Sequence, residues 1–131
     1  PQKITPGLRQ LDFGASTGLN WAQLLEKSRA PPHARLAELE RGAVPGGETA
    51  MDFRARVEPC LNEIIEKNPG KTAAIFCHGG VIRLMLAILL DLPLPKTNQF
   101  EIEYTSVTQV ALHPHLDEIE LLNFVPWRDW H

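Results

Sequence analysis

Residues 72–90 constrain the fold of this chain most tightly. Thr72-Ala73-Ala74-Ile75-Phe76-Cys77 is apolar without alternation, the pattern of a strand buried on both faces of a parallel sheet. It passes through His78-Gly79-Gly80 directly into residues 81–90, which are apolar nearly all round and predict a buried helix. A parallel strand feeding a helix through a glycine turn sets that turn at the strand's carboxyl end, where open α/β sheets bind ligands. The helix start offers unpaired backbone N–H groups and the positive end of its dipole, both of which attract anions. Gly79 and Gly80 are expected to let an anion approach the backbone and to permit the turn's dihedral angles. His78 can carry charge or donate a hydrogen bond to a phosphoryl oxygen. The local pattern leaves a second reading open, a structural histidine at a strand end.

The rest of the chain supplies the elements such a unit needs. Thr49 with Asp52 three residues on predicts a helix start, and Phe53, Val57, Leu61 and Ile64 follow on one face. Asn68-Pro69-Gly70 stops that helix. Earlier, Pro6-Gly7, Gly14 and Gly18 punctuate a short apolar segment at residues 8–13. Asn20 caps a predicted helix starting near Trp21, Pro31-Pro32 ends it, and a shorter helix is expected over residues 33–41. Phe100, Ile102 and Tyr104 alternate with Glu101 and Glu103, residues 105–112 read as a strand, and residues 118–124 return as another after a turn at 113–117. The expected architecture is α/β: a mostly parallel sheet with helices on both faces and an antiparallel hairpin toward the C-terminus, in one domain spanning 1–131.

Composition narrows the function classes. The formal net charge is -3 and the 13 Lys and Arg residues are scattered, so neither nucleic acid nor a membrane surface is an expected partner. The most apolar stretch, residues 81–92, carries Arg83 and Asp91 and is too short to span a bilayer. Pro1-Gln2-Lys3 does not open a secretory leader, and a cytoplasmic location is expected. Cys60 and Cys77 read as reduced core thiols. No metal or other cofactor is expected. His113 and His115 suggest a metal only until the Pro114 turn between them is considered. Trp127 and Trp130 read as packing residues.

Three motifs carry a resemblance. Leu8-Arg9-Gln10-Leu11-Asp12-Phe13-Gly14 is followed by Gly18-Leu19-Asn20-Trp21; Gly46-Gly47-Glu48-Thr49 by Asp52 and Arg56; and Phe76-Cys77-His78-Gly79-Gly80-Val81-Ile82-Arg83 comes third. In that order the chain resembles the histidine phosphatase superfamily, the phosphoglycerate mutase-like clan. The resemblance implies a three-layer fold and phosphomonoester hydrolysis through a phosphohistidine, with a small phosphorylated substrate. In the family a histidine of an Arg-His-Gly motif on the first strand attacks phosphorus. A carboxylic acid protonates the leaving oxygen and then activates water. A second histidine and two arginines stabilise the transferring group. His78 matches the second histidine, with Gly79 beside it as a phosphate-binding residue.

Two departures bear on activity. No Arg-His-Gly occurs; His33, His113, His115 and His131 all stand in other contexts. The start at Pro1 fits an expectation that roughly the first third of a family chain is absent, so the fold is incomplete at its N-terminus. Gln10 occupies the general-acid position, and glutamine cannot protonate a leaving group; Asp12 is a substitute only if the backbone shifts. A missing segment, a second copy or a partner chain is expected to complete the sheet. The rival to a hydrolase is an inactive pseudophosphatase or phosphoryl-ligand or protein-binding module. A mutase is less favoured, because residues 28–47 lack a long insertion. Glu48 reads as an acid behind the site or simply as one favoured at a helix start. Arg83 either reaches the phosphate pocket or, as slightly preferred, snorkels to solvent.

Overall fold

Thr49 starts the longest element as its sequence predicts. Its Oγ1 accepts a hydrogen bond from the Asp52 N–H at 3.1 Å, capping helix α1, Ala50–Lys67. Phe53, Val57 and Leu61 are buried along one side, which is the predicted stripe less Ile64. Asn68 closes the helix with its side-chain amide on the Ile64 carbonyl at 2.8 Å. The computed structural model describes residues 2–14, 18 and 46–129. The predicted helices near Trp21 and over 33–41, and most of the 28–47 loop, lie outside the described residues, as do His33, Trp130 and His131.

Helix α2, Gly79–Leu89, buries Val81, Leu84, Met85, Leu86 and Ala87 and packs against α1. A 3-10 helix, Leu94–Gln99, backs it, with buried Thr97 donating to the Leu94 carbonyl at 2.6 Å. Leu11 joins Phe53, Val57, Leu61, Val81, Leu84, Met85, Ala87 and Leu94 in one apolar cluster. That cluster is the core on which the glycine turn stands.

The C-terminal hairpin forms as predicted. Strand β1, Val107–Ala111, runs antiparallel to β2, Glu118–Phe124. Val107 faces Phe124 and Ala111 faces Glu118, with register shifts between them. Asn123 holds a positive φ of 54° in β2, a conformation asparagine tolerates better than most residues. Its Oδ1 accepts the Glu103 N–H at 2.7 Å. Residues 100–104, whose apolar and acidic side chains alternate, join no ladder, and Tyr104 and Thr105 form a turn. A four-residue helix, α3, Pro126–Asp129, follows; Trp127 on it is 68% exposed, so it does not pack as expected.

The main departure is at residues 72–77. They are not in a sheet, and the only sheet among the described residues is the two-stranded hairpin. No backbone hydrogen bond joins them to another described segment. Ile75 and Cys77 lean on the core, while Phe76 is 95% exposed. The expected burial on both faces is therefore present on one. The physical reason is that a doubly buried strand needs neighbours along both edges and across both faces, and nothing described lies on the Phe76 side.

Candidate active site

His78 is the N-cap of α2, with φ -94° and ψ 159°, and its side chain makes no cap bond. Its carbonyl accepts the Ile82 N–H at 3.0 Å. The N–H groups of Gly79, Gly80 and Val81 stand ahead of that first helical bond, the orphan donors of a helix start. The imidazole is exposed. Neither Gly79 nor Gly80 has a positive φ, so the expected dihedral role is corrected. A Cβ on Gly80 would lie 2.9 Å from Gln10 Oε1, so that glycine is there for space, while a Cβ on Gly79 would meet only ordinary contacts. The Gln10 side chain thus rests on the first turn of the helix that His78 opens.

A largely buried ion pair holds the Gln10 backbone there. Arg56, in the second turn of α1, donates Nε to Glu48 Oε1 at 2.6 Å and Nη2 to Oε2 at 2.8 Å. Its remaining donors reach the carbonyls of Gly7 at 2.7 Å, Arg9 at 2.9 Å and Gln10 at 3.1 Å. The guanidinium also lies over the Phe53 ring, 4.9 Å from its centroid. Glu48 adds an acceptor for the Asp12 N–H at 3.3 Å, and its own N–H donates to the Asp12 carbonyl at 3.0 Å. Burial pushes the Glu48 carboxyl up, but the Arg56 hydrogen bonds, the Asp12 N–H and the charges of Arg56 and Arg9 together bring it below its ordinary value. Beside this pair Gly14, at φ 51°, approaches Gly47 so closely that a Cβ would stand 2.2 Å from its nitrogen. The first two motifs are therefore one interlocked unit, and Gln10 joins it to the third.

Of the residues singled out in the sequence, His78, Gly79, Gly80 and Gln10 come together, with Glu48 supporting them. Asp12 turns one carboxylate oxygen to its own loop, Oδ1 accepting the Gly14 N–H at 2.8 Å. Arg83 does not snorkel; its Nη2 turns inward to the Phe100 carbonyl at 3.2 Å. Cys77 is half-buried, and burial pushes its thiol up. His113 stands on the hairpin turn with Nε2 3.2 Å from Glu118 Oε2, both exposed. Sequence reasoning placed Arg56 in a motif without a role. Its signal was an arginine two turns behind a Thr49-capped start and eight residues past Glu48, a spacing that returns its fork to that acid.

Residues 1–125 match the family model described as the histidine phosphatase superfamily, branch 1. The chain belongs to that superfamily. Comparison with curated proteins finds no match. Among solved structures it is similar to the α-ribazole phosphatase from Shigella flexneri, with a TM-score of 0.75 and 21% identity over 95% of this chain and 61% of that one. It is also similar to a mycobacterial glucosyl-3-phosphoglycerate phosphatase, with a TM-score of 0.73 and 28% identity over 92% of this chain and 64% of that one. A protein titled mycobacterial hydrolase 1 matches with a TM-score of 0.72 and 28% identity over 92% and 63% of the two chains. The chain thus spans less than two thirds of the length of these relatives. The fold class is the phosphoglycerate mutase-like α/β fold of these phosphatases. Among the described residues no helix is long and apolar enough to cross a membrane, and no group of three or more metal-binding side chains occurs.

Proposed function

We propose that these residues form the second-histidine and leaving-group half of a phosphomonoester hydrolase site. The observation that carries the reading is the meeting of Gln10 with the first turn of α2 at Gly80. In this reading a phosphoryl group sits over the open N–H groups of that turn. His78 and the helix dipole stabilise its oxygens as charge develops. A nucleophilic histidine forms the N–P bond while the P–O bond to the leaving group breaks; water then cleaves N–P. That nucleophile comes from a segment carrying Arg-His-Gly, outside these residues. Its natural seat is along residues 72–77, whose backbone is unpaired and whose Phe76 is 95% exposed. The occupant is an extended segment pairing with this edge, which would bury Phe76 and contribute about 2 kcal/mol from that side chain alone.

Gln10 favours a second reading, phosphoryl-ligand binding without turnover, because an amide can hold a leaving oxygen by hydrogen bonding but cannot protonate it. Similarity to a mycobacterial glucosyl-3-phosphoglycerate phosphatase supports a phosphorylated small molecule as ligand. The test is hydrolysis of an aryl phosphate with trapping of an acid-labile phosphoenzyme, with and without an Arg-His-Gly segment. Turnover and trapping only when the segment is present support the hydrolase. Binding without either, segment present, favours the second reading. Trapping in these 131 residues alone would contradict the assignment of the nucleophile.

A further inference from the structure

Arg83 is the one cation on α2, and the mechanism above does not use it. Its guanidinium is folded back under the glycine turn. Nη2 donates to the Phe100 carbonyl at 3.2 Å, and a Cβ on Gly79 would lie 3.4 Å from Nη1 and 3.6 Å from an Ile102 methyl carbon. Nε is buried with no hydrogen-bond partner. Burial lowers the Arg83 pKa, and no carboxylate contributes to offset it. A half-buried charge with one neutral acceptor and an orphaned donor is costly unless a counter-charge arrives. The place where one can arrive is next to Gly79, at the helix start, where the exposed His78 and the open N–H groups already converge.

We infer that Arg83 is a positioning residue whose buried charge sets the affinity of the His78–Gly80 turn for a doubly charged phosphoryl group. This rests on the phosphate reading above. Arg83 acts in two ways. It braces the turn against the segment at 100–102, and it adds a cation behind Gly79 that solvent screens only partly. Ligand binding supplies the counter-charge that the polypeptide withholds.

Two variants separate the charge from the brace. Arg83→Gln removes the charge and is too short to keep the Phe100 bond, whereas Arg83→Lys keeps the charge and loses the fork. Inorganic phosphate binding is measured by calorimetry beside the melting temperature, on the full chain with the Arg-His-Gly segment supplied. Arg83→Gln is expected to weaken phosphate binding by about tenfold, and Arg83→Lys to stay within about threefold. Phosphate affinity unchanged in folded Arg83→Gln overturns the inference. If that variant does not fold, Arg83→Lys decides, and a tenfold loss there overturns it. An unaltered protein that binds no phosphate overturns the phosphate reading itself and this inference with it, whereas the pattern across the variants tests Arg83 alone.

Discussion

In the proposed site Gln10 and His78 divide the chemistry between them, and only one of them is the residue type the family resemblance implies. His78 stands exposed at the start of α2, able to donate to a phosphoryl oxygen. Gln10 occupies the place of an acid, with Oε1 on the Leu11 N–H at 3.0 Å and against Gly80. A glutamate fits the same space, so Gln10→Glu is expected to raise aryl phosphate turnover by about 10²–10⁴-fold once the nucleophile is present. The gain should appear in kcat with little change in KM. An unchanged kcat in the folded variant would show that Gln10 is not at the leaving-group position. Both residues were legible in the sequence because they lie in short local motifs. Their contact was not, because nothing local says that residue 10 meets residue 80. The resemblance implied one site for both, and the contact itself is seen only in the fold, where Gly80 leaves space for Gln10.

At the scale of elements, the Glu48–Arg56 pair carries the most. The Arg56 guanidinium makes two hydrogen bonds to Glu48 and three that tie α1 to the carbonyls of Gly7, Arg9 and Gln10, with the Arg56 and Glu48 side chains only 14% and 10% exposed. Removing the carboxylate leaves a nearly buried cation holding only carbonyls. Glu48→Gln is expected to cost about 2–3 kcal/mol of stability. The pH dependence follows in sign. Because the folded Glu48 value lies below its ordinary 4.5, the pair stabilises the fold fully above that ordinary value. The contribution is lost as pH falls through the lowered one. Denaturant unfolding of the native chain should therefore weaken on the acid side more steeply than that of Glu48→Gln; parallel curves would contradict this. The helices around the pair were legible element by element, since Thr49 capping and the Phe53, Val57, Leu61 stripe are local signals. The clamp was not, because its acceptors are backbone carbonyls far away in sequence, which leave no trace in residue type.

At the scale of the molecule, the sheet is where sequence and structure part. Residues 72–77 have the composition of a central strand, yet only Ile75 and Cys77 touch the core, and the hairpin is the only sheet among the described residues. The chain also spans 61% to 64% of the length of its solved phosphatase relatives. The sequence pattern reports the environment a segment is built for, and the described residues supply only part of that environment. The exposed Phe76 marks the difference. The position of His78 depends on this, since the turn it occupies is fixed on one side by α2 and on the other only by an unladdered segment. Amide hydrogen exchange at residues 73–77 tests this most directly, measured on the 131-residue chain alone and again with an Arg-His-Gly segment bound. Exchange is expected to be fast in the chain alone and slowed by at least about 10²-fold when the segment binds, as ladder bonds form along the strand. Amides already protected in the chain alone, or still unprotected once the segment has bound, would contradict the account.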